Sequence, residues 1–139
     1  MGDFHQKSPS VTSLTDGGFV VIMEHGNHLQ GQRFDASGSP SGSEFQINAD
    51  LGNNRLRPAV TSLQNGDFVV IWESLIDGTV LTGVFGQRFN SEGIALGDEF
   101  KVNTNARHAN LPSVTSLTDG GFVVTFHKFH SYNSQSNYA

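Results

Sequence analysis

The sequence contains no cysteine, which excludes disulfides and thiolate metal sites. Charge is sparse: 15% of the 139 residues are charged, 13 acidic against 8 basic, for a net charge of -5. That balance argues against nucleic acid or an anionic membrane surface as a partner. No run of like charges reads as a solvating tail. No apolar stretch approaches the roughly 20 residues that span a bilayer, so membrane insertion is not expected. The opening segment, Met-Gly-Asp-Phe-His-Gln-Lys-Ser, lacks the apolar centre of a cleaved secretory signal. Tryptophan occurs once, and no window shows an apolar period of 3.6 that would mark an amphipathic helix.

What is present is glycine and phenylalanine. Sixteen Gly and eleven Phe, with an apolar share of 36%, suit many short strands joined by tight turns. The strands come in repeats. Pro-Ser-Val-Thr-Ser-Leu-Thr-Asp-Gly-Gly-Phe-Val-Val runs from Pro9 to Val21 and returns at Pro112 to Val124. A looser copy runs from Pro58 to Val70, so the prolines are spaced 49 and then 54 residues apart. Leu29–Phe34 and Val84–Phe89 share Gly-Gln-Arg-Phe, and Ser43–Asn48 matches Asp98–Asn103. The extra length of the second copy falls between Glu73 and Val84, as expected of an insertion in a loop.

Each complete unit reads as four strands. Strand A, Val-Thr-Ser-Leu, meets strand B, Phe-Val-Val, through Asp16-Gly17, Asn65-Gly66 or Asp119-Gly120, pairs that predict two-residue type I′ turns. Strand C is the Gly-Gln-Arg-Phe segment. Glycine-bearing turns at 36–42 and 91–97 lead to strand D, Glu-Phe-Gln-Ile-Asn or Glu-Phe-Lys-Val-Asn. Strand B alternates apolar with apolar, so it is expected to be covered on both faces. Four antiparallel strands per unit of this length predict an all-β fold of β-propeller type. The organisation is an extension at 1–8, repeat 1 at 9–57, repeat 2 at 58–111, the first hairpin of repeat 3 at 112–126, and a divergent tail at 127–139. Two and a half blades do not close a propeller. Three arrangements stay open: part of a longer repeat protein, closure by homo-oligomerisation, or a ten-strand sandwich or open barrel.

These phrases resemble a tandem repeat of large secreted or surface proteins of bacteria, in which Pro-Ser-Val, Asp-Gly-Gly-Phe-Val-Val, Phe-Gly-Gln-Arg-Phe and Glu-Phe-x-Val-Asn recur in register. Such units often accompany RTX-type calcium-binding or adhesin regions. The resemblance covers nearly all of residues 9–126 and implies a propeller-like module exported without a cleaved N-terminal signal. It implies no catalytic residues. Met23, Trp72 and Phe126 occupy one slot in the three copies, where the family pattern has Trp.

Several residues invite a chemical reading. His25 with His28 in the loop between strands B and C, and His127 with His130 at the end of copy three, form His-x-x-His pairs, and solvated loop histidines are the expected reading. In a continuous strand, positions i and i+3 face opposite ways, so neither pair is a ready chelate, and these are weak metal candidates. Asp16, Asp35, Asp77 and Asp119 could serve calcium, but their spacing is far sparser than calcium loops require. Glu24 and Glu73 end strand B at equivalent places, with His127 in that position in copy three. A once-per-unit carboxylate reads as a structural feature before it reads as an acid–base pair. Arg33 and Arg88 are expected to pair with Glu44 and Glu99 across strands C and D, placing Phe34 and Phe89 in the core with Phe45 and Phe100. The alternative is a ring of Arg and Gln for an acidic ligand. The loop 74–83, with Leu75, Ile76, Val80 and Leu81, belongs to one copy only and is where binding would diverge. Trp72 beside it is either a sugar-stacking ring or a core residue.

The expected function is therefore a non-catalytic binding, adhesion or spacer module of an extracellular or surface protein. Its partner is a glycan or a surface protein, and its candidate ligand contacts are Trp72, Glu73, Asp77, Arg33 and Arg88. The alternative is a self-assembling lectin-like protein with sugar sites between blades. No cofactor is expected, calcium being the nearest candidate, and no P-loop, nucleophile elbow or His-Glu-x-x-His motif marks an enzyme.

Overall fold

The computed structural model of the chain describes residues 6–49, 55–75, 82–103 and 108–129. Ten strands fill these segments: β1 (Gln6–Ser13), β2 (Phe19–His25), β3 (His28–Phe34), β4 (Phe45–Gln46), β5 (Arg55–Ser62), β6 (Phe68–Leu75), β7 (Thr82–Phe89), β8 (Ala95–Lys101), β9 (His108–Ser116) and β10 (Phe122–Phe129). They form three separate antiparallel sheets, in the orders β1-β2-β3-β4, β5-β6-β7-β8 and β9-β10. Three sheets replace the two of a sandwich, and none closes on itself. Among the described residues no helix is long and apolar enough to cross a membrane.

The A–B hairpins form where expected, but their turns differ from type I′. Gly17 N–H donates to Leu14 O at 3.1 Å, Leu14 N–H to Gly18 O at 2.8 Å, and the positive φ falls on Gly17 (86°) while Asp16 stays at negative φ. This is a three-residue loop, a type I turn followed by a left-handed glycine. The same bonds recur at Leu63/Gly66/Asp67 and Leu117/Gly120/Gly121. The cause is the Asx side chain. Asp16 Oδ1 accepts from Gly18 N–H (2.9 Å), Asn65 Oδ1 from Asp67 N–H (3.1 Å) and Asp119 Oδ1 from Gly121 N–H (2.9 Å). That bond holds the Asx residue right-handed and leaves only the glycine to turn the chain.

Strand D departs from expectation in both units. In unit one it shrinks to Phe45–Gln46, whereas in unit two β8 begins at Ala95, inside the segment expected to be turn. The actual turns are Asp35–Ser39 and Asn90–Ile94.

Unit-to-unit packing explains strand B. Phe68, Val70 and Trp72 of β6 join Val20, Ile22 and Leu29 of unit one in one core; Val69 and Ile71 join Phe122, Val124 and Phe126 of unit three in the next. Residues Phe68 to Trp72 are fully inaccessible, because alternate side chains serve different neighbours. The first strands run side by side: Val60 N–H donates to Ser10 Oγ and Ser62 N–H to Thr12 Oγ1, both at 3.2 Å. The phenylalanines of strand D lie over the glycines of strand C in their own unit, Phe45 over Gly31 and Phe100 over Gly86, and also reach forward. Phe45 packs on Phe68 and Phe89 of unit two, and Phe100 on Phe122 of unit three.

Each strand A carries a bulge before its proline. Ser8, Arg57 and Leu111 have φ of 48°, 50° and 51°, the only positive values outside glycine among the described residues. The ladder register shifts there in all three sheets. A residue before proline is ordinarily extended, so this conformation needs support from outside the strand.

Candidate functional site

The support comes from the two carboxylates that end strand B. Glu24 Oε1 accepts from the Arg57 N–H at 2.8 Å, and Glu73 Oε2 from the Leu111 N–H at 3.0 Å. Each bond crosses from one unit to the bulge of the next. Arg57 Nη1 donates to Glu73 Oε1 at 2.7 Å, so a chain of contacts runs Glu24, Arg57, Glu73, Leu111 along one rim. Both carboxylates are buried, and Arg55, also buried, donates through Nη1 to Ser74 Oγ. Glu73 has one oxygen on a guanidinium and the other on a backbone amide, which leaves little of it to face a ligand. The strand-B carboxylates therefore act as locks between units, as a once-per-unit residue would.

Sequence reasoning found Glu24 and Glu73 but not their partners. Arg57 and Leu111 differ in side chain because the carboxylate of the preceding unit takes their backbone N–H. The one signal was positional: each directly precedes the repeat's proline.

Arg33 and Arg88 do not pair with Glu44 and Glu99. Arg33 Nη2 lies 3.6 Å from Asp16 Oδ2, and Arg88 Nη2 donates to Asp67 Oδ2 at 2.8 Å. Cross-strand register places Arg33 opposite Val20 and Arg88 opposite Val69 at the A–B turn end of the sheet, within reach of the turn acids. The acid moves two places between copies, from Asp16 to Asp67, and the arginine follows it. Glu44 instead accepts from Gln30 Nε2 at 2.5 Å, and Glu99 Oε1 from Ala49 N–H at 2.6 Å in the preceding unit. The glutamines of Gly-Gln-Arg-Phe are structural as well. Gln32 Nε2 donates to Arg33 O and Gly42 O, and Gln87 Nε2 to Arg88 O, Leu96 O and Gly97 O, fastening the C–D turns. The terminal asparagines repeat one bond: Asn48 Oδ1 accepts from Leu29 N–H (2.8 Å) and Asn103 Oδ1 from Val84 N–H (2.7 Å).

His25 and His28 meet, against expectation. They do not share one strand; Gly26-Asn27 is a two-residue hairpin turn with positive φ (64°) at Gly26 only, the II′ pattern. The turn places the two residues directly opposite each other, with ring centroids 5.1 Å apart. Burial, and then the charge of His25, hold the pKa of His28 below its ordinary value. His127 lies within β10 and not in a loop; His130 falls outside the described residues. Among the described residues no three His, Asp or Glu side chains converge as a metal group would.

Trp72 is fully buried between units one and two, so no face of its ring is open to stack on a sugar. Asp35 Oδ1 accepts from Ser37 N–H, Ser37 Oγ and Ser39 N–H, and the Ser37 hydroxyl first among these bonds lowers its pKa. Asp16 and Asp119 are occupied in their turns in the same way. Of the expected loop 74–83, Ser74, Leu75, Thr82 and Gly83 belong to β6 and β7. Asp77, Ile76, Val80 and Leu81 lie outside the described residues.

No family model matches the chain, and no curated protein does. Among solved structures it is similar to the GH43 endo-arabinanase from Bacillus licheniformis, with a TM-score of 0.50 at 15% identity, over 89% of this chain and 54% of that one. The chain thus spans about half the length of that β-propeller. At this identity the likeness shows the fold alone: an all-β, propeller-like arrangement of four-stranded antiparallel sheets.

Proposed function

We propose that the chain is a non-catalytic repeat module of a bacterial secreted or cell-surface protein, acting in binding or adhesion or as a structural spacer. The observation that supports this reading best is the fate of the repeated polar residues. Glu24 and Glu73 lock one unit to the next, Arg33 and Arg88 hold turn acids, Gln32 and Gln87 hold the C–D turns, and Asn48 and Asn103 hold strand C. What the repeat preserves serves packing; what differs between copies, the insertion within 74–83 above all, is where a partner would be recognised. The bacterial surface setting rests on the repeat phrases themselves.

A second reading, a lectin-like carbohydrate-binding protein, draws on the likeness to an endo-arabinanase. A glycan array that includes arabinan oligosaccharides, probed with the whole chain, tests both. Sugar binding abolished by deleting residues 76–81 favours the lectin; a blank array sinks it. Release of reducing sugar that vanishes in Glu73→Gln overturns the non-catalytic reading. The module is further proposed to work without a cofactor, so EDTA should leave its thermal midpoint unchanged, and a drop would restore calcium.

A further inference from the structure

The two faces of strand B are assigned by residue parity, and the assignment repeats. The backward face is Phe19, Val21 and Met23 in unit one; Phe68, Val70 and Trp72 in unit two; Phe122, Val124 and Phe126 in unit three. In unit two that face is fully buried beneath unit one, and Val60 beside it is 8% exposed. In unit one the same face is only half-buried, and Val11, the counterpart of Val60, is 62% exposed. An apolar face of this kind on an otherwise well-packed sheet marks a contact surface.

Two finer features show what the surface is shaped to receive. Phe19 stacks on Phe34 at 5.0 Å and 12°, repeating Phe68 on Phe89 at 5.3 Å and 15°. The second stack is capped by Phe45 from the preceding unit, at 6.2 and 5.8 Å; among the described residues no ring caps the first. Ser8 holds the same left-handed bulge as Arg57 and Leu111. Those two are supported by a carboxylate of the preceding unit, whereas among the described residues no side chain accepts from the Ser8 N–H.

We propose that the face formed by Ser8, Val11, Phe19, Met23 and Phe34 is a docking surface for a further β-unit of this same repeat type. The carboxylate at the end of that unit's strand B takes the Ser8 N–H, and its strand-D aromatic ring caps the Phe19–Phe34 stack. Continuity with the two interfaces already formed selects this occupant, since every element of the socket has a filled counterpart in unit two. Unit three of a second copy fits less well. Its forward face presents Val123, Thr125 and His127 where the other units present valine, isoleucine and glutamate. Its described strands, β9 and β10, include no strand D to supply the ring.

The test is a tandem protein in which a second copy of residues 6–54 is placed directly before Gln6 of the whole chain, in the register in which those residues precede Arg55. The expected result is one cooperative unfolding transition at a higher midpoint than the original chain. Exchange of the Ser8 amide should slow at least about tenfold. Changing Glu24→Ala in the added copy alone should remove the Ser8 protection. Unchanged Ser8 exchange, or two separate transitions, overturns the proposal. Val11→Arg at the original position gives an independent reading: it should leave the midpoint of the single chain unaltered and lower that of the tandem. Equal effects in both proteins overturn the proposal, as does a Ser8 amide already protected in the single chain at concentrations where sedimentation shows a dimer.

Discussion

Glu73 Oε2 accepts the backbone N–H of Leu111 at 3.0 Å, tying the end of strand B in unit two to the bulge that opens unit three. Its other oxygen takes Arg57 Nη1, so one carboxylate joins three strands. Glu73→Ala should cost about 2–4 kcal/mol, since a buried charge-assisted bond is lost and a strained amide is left without its acceptor. Arg57→Ala should cost about 1–2 kcal/mol, because the guanidinium is half-exposed and the Leu111 bond survives. Urea unfolding of the two variants checks the order; an Arg57→Ala loss equal to that of Glu73→Ala would show that the ion pair, and not the amide, carries the lock.

Trp72 Nε1 is buried and meets no hydrogen-bond acceptor among the described residues. Trp72→Phe therefore forfeits no hydrogen bond and removes an unsatisfied donor, which offsets part of the lost volume. The expected cost is below about 1.5 kcal/mol, against about 3–5 for Trp72→Ala, where a cavity opens between units one and two. A Trp72→Phe loss as large as that of the alanine variant would mean that the indole N–H has a partner.

Much of this fold could be read in the repeat, and the reasons are local. Asx-Gly before Phe-Val-Val is a hairpin signal that needs no tertiary information, and the doubly apolar strand B could only be an inter-unit strand. The turn type was misread because positive φ was assigned to both turn residues, whereas the Asx oxygen already satisfies the N–H two residues on. The Arg33 and Arg88 pairings were misread because charge complementarity alone does not fix register or face. Glu44 and Glu99 each precede the phenylalanine that pairs with Gly31 or Gly86, and Glu44 falls on the face of Gln30 and not on that of Arg33. The lock onto Arg57 and Leu111 was invisible because a backbone amide has no letter in the sequence. His25 and His28 were placed in the B-to-C loop but judged by the strand rule that separates i from i+3; the tight Gly26-Asn27 turn instead sets them directly opposite each other.

Gly86 is the glycine of Gly-Gln-Arg-Phe in unit two, and its constraint is space. A Cβ there would lie 2.5 Å from Phe100 Cζ and 2.6 Å from Ile71 Cδ1. Both neighbours are packed in the core shared with unit three, so neither ring nor side chain can yield freely. Gly86→Ala should destabilise by about 1–3 kcal/mol through overpacking. Phe100→Leu in the same chain should recover part of the loss; if the double variant is no more stable than the sum of the two changes, Phe100 is not the obstacle.

His28 gives the fold a pH dependence of definite sign. Burial first, and then the facing His25, lower its pKa from 6.5 in the folded chain. The folded state thus favours neutral His28 more than the unfolded state does. Its contribution is full above about pH 6.5 and is lost as pH falls through the lower folded value. His25→Gln removes the second cause only, so the His28 titration should move partway back toward 6.5 while burial still holds it down. An NMR titration of the His28 ring in both proteins reads this directly, beside unfolding midpoints at about pH 5 and about pH 7.5. A His28 midpoint at or above 6.5 in the parent chain would reverse the sign and show that the ring pair does not oppose protonation.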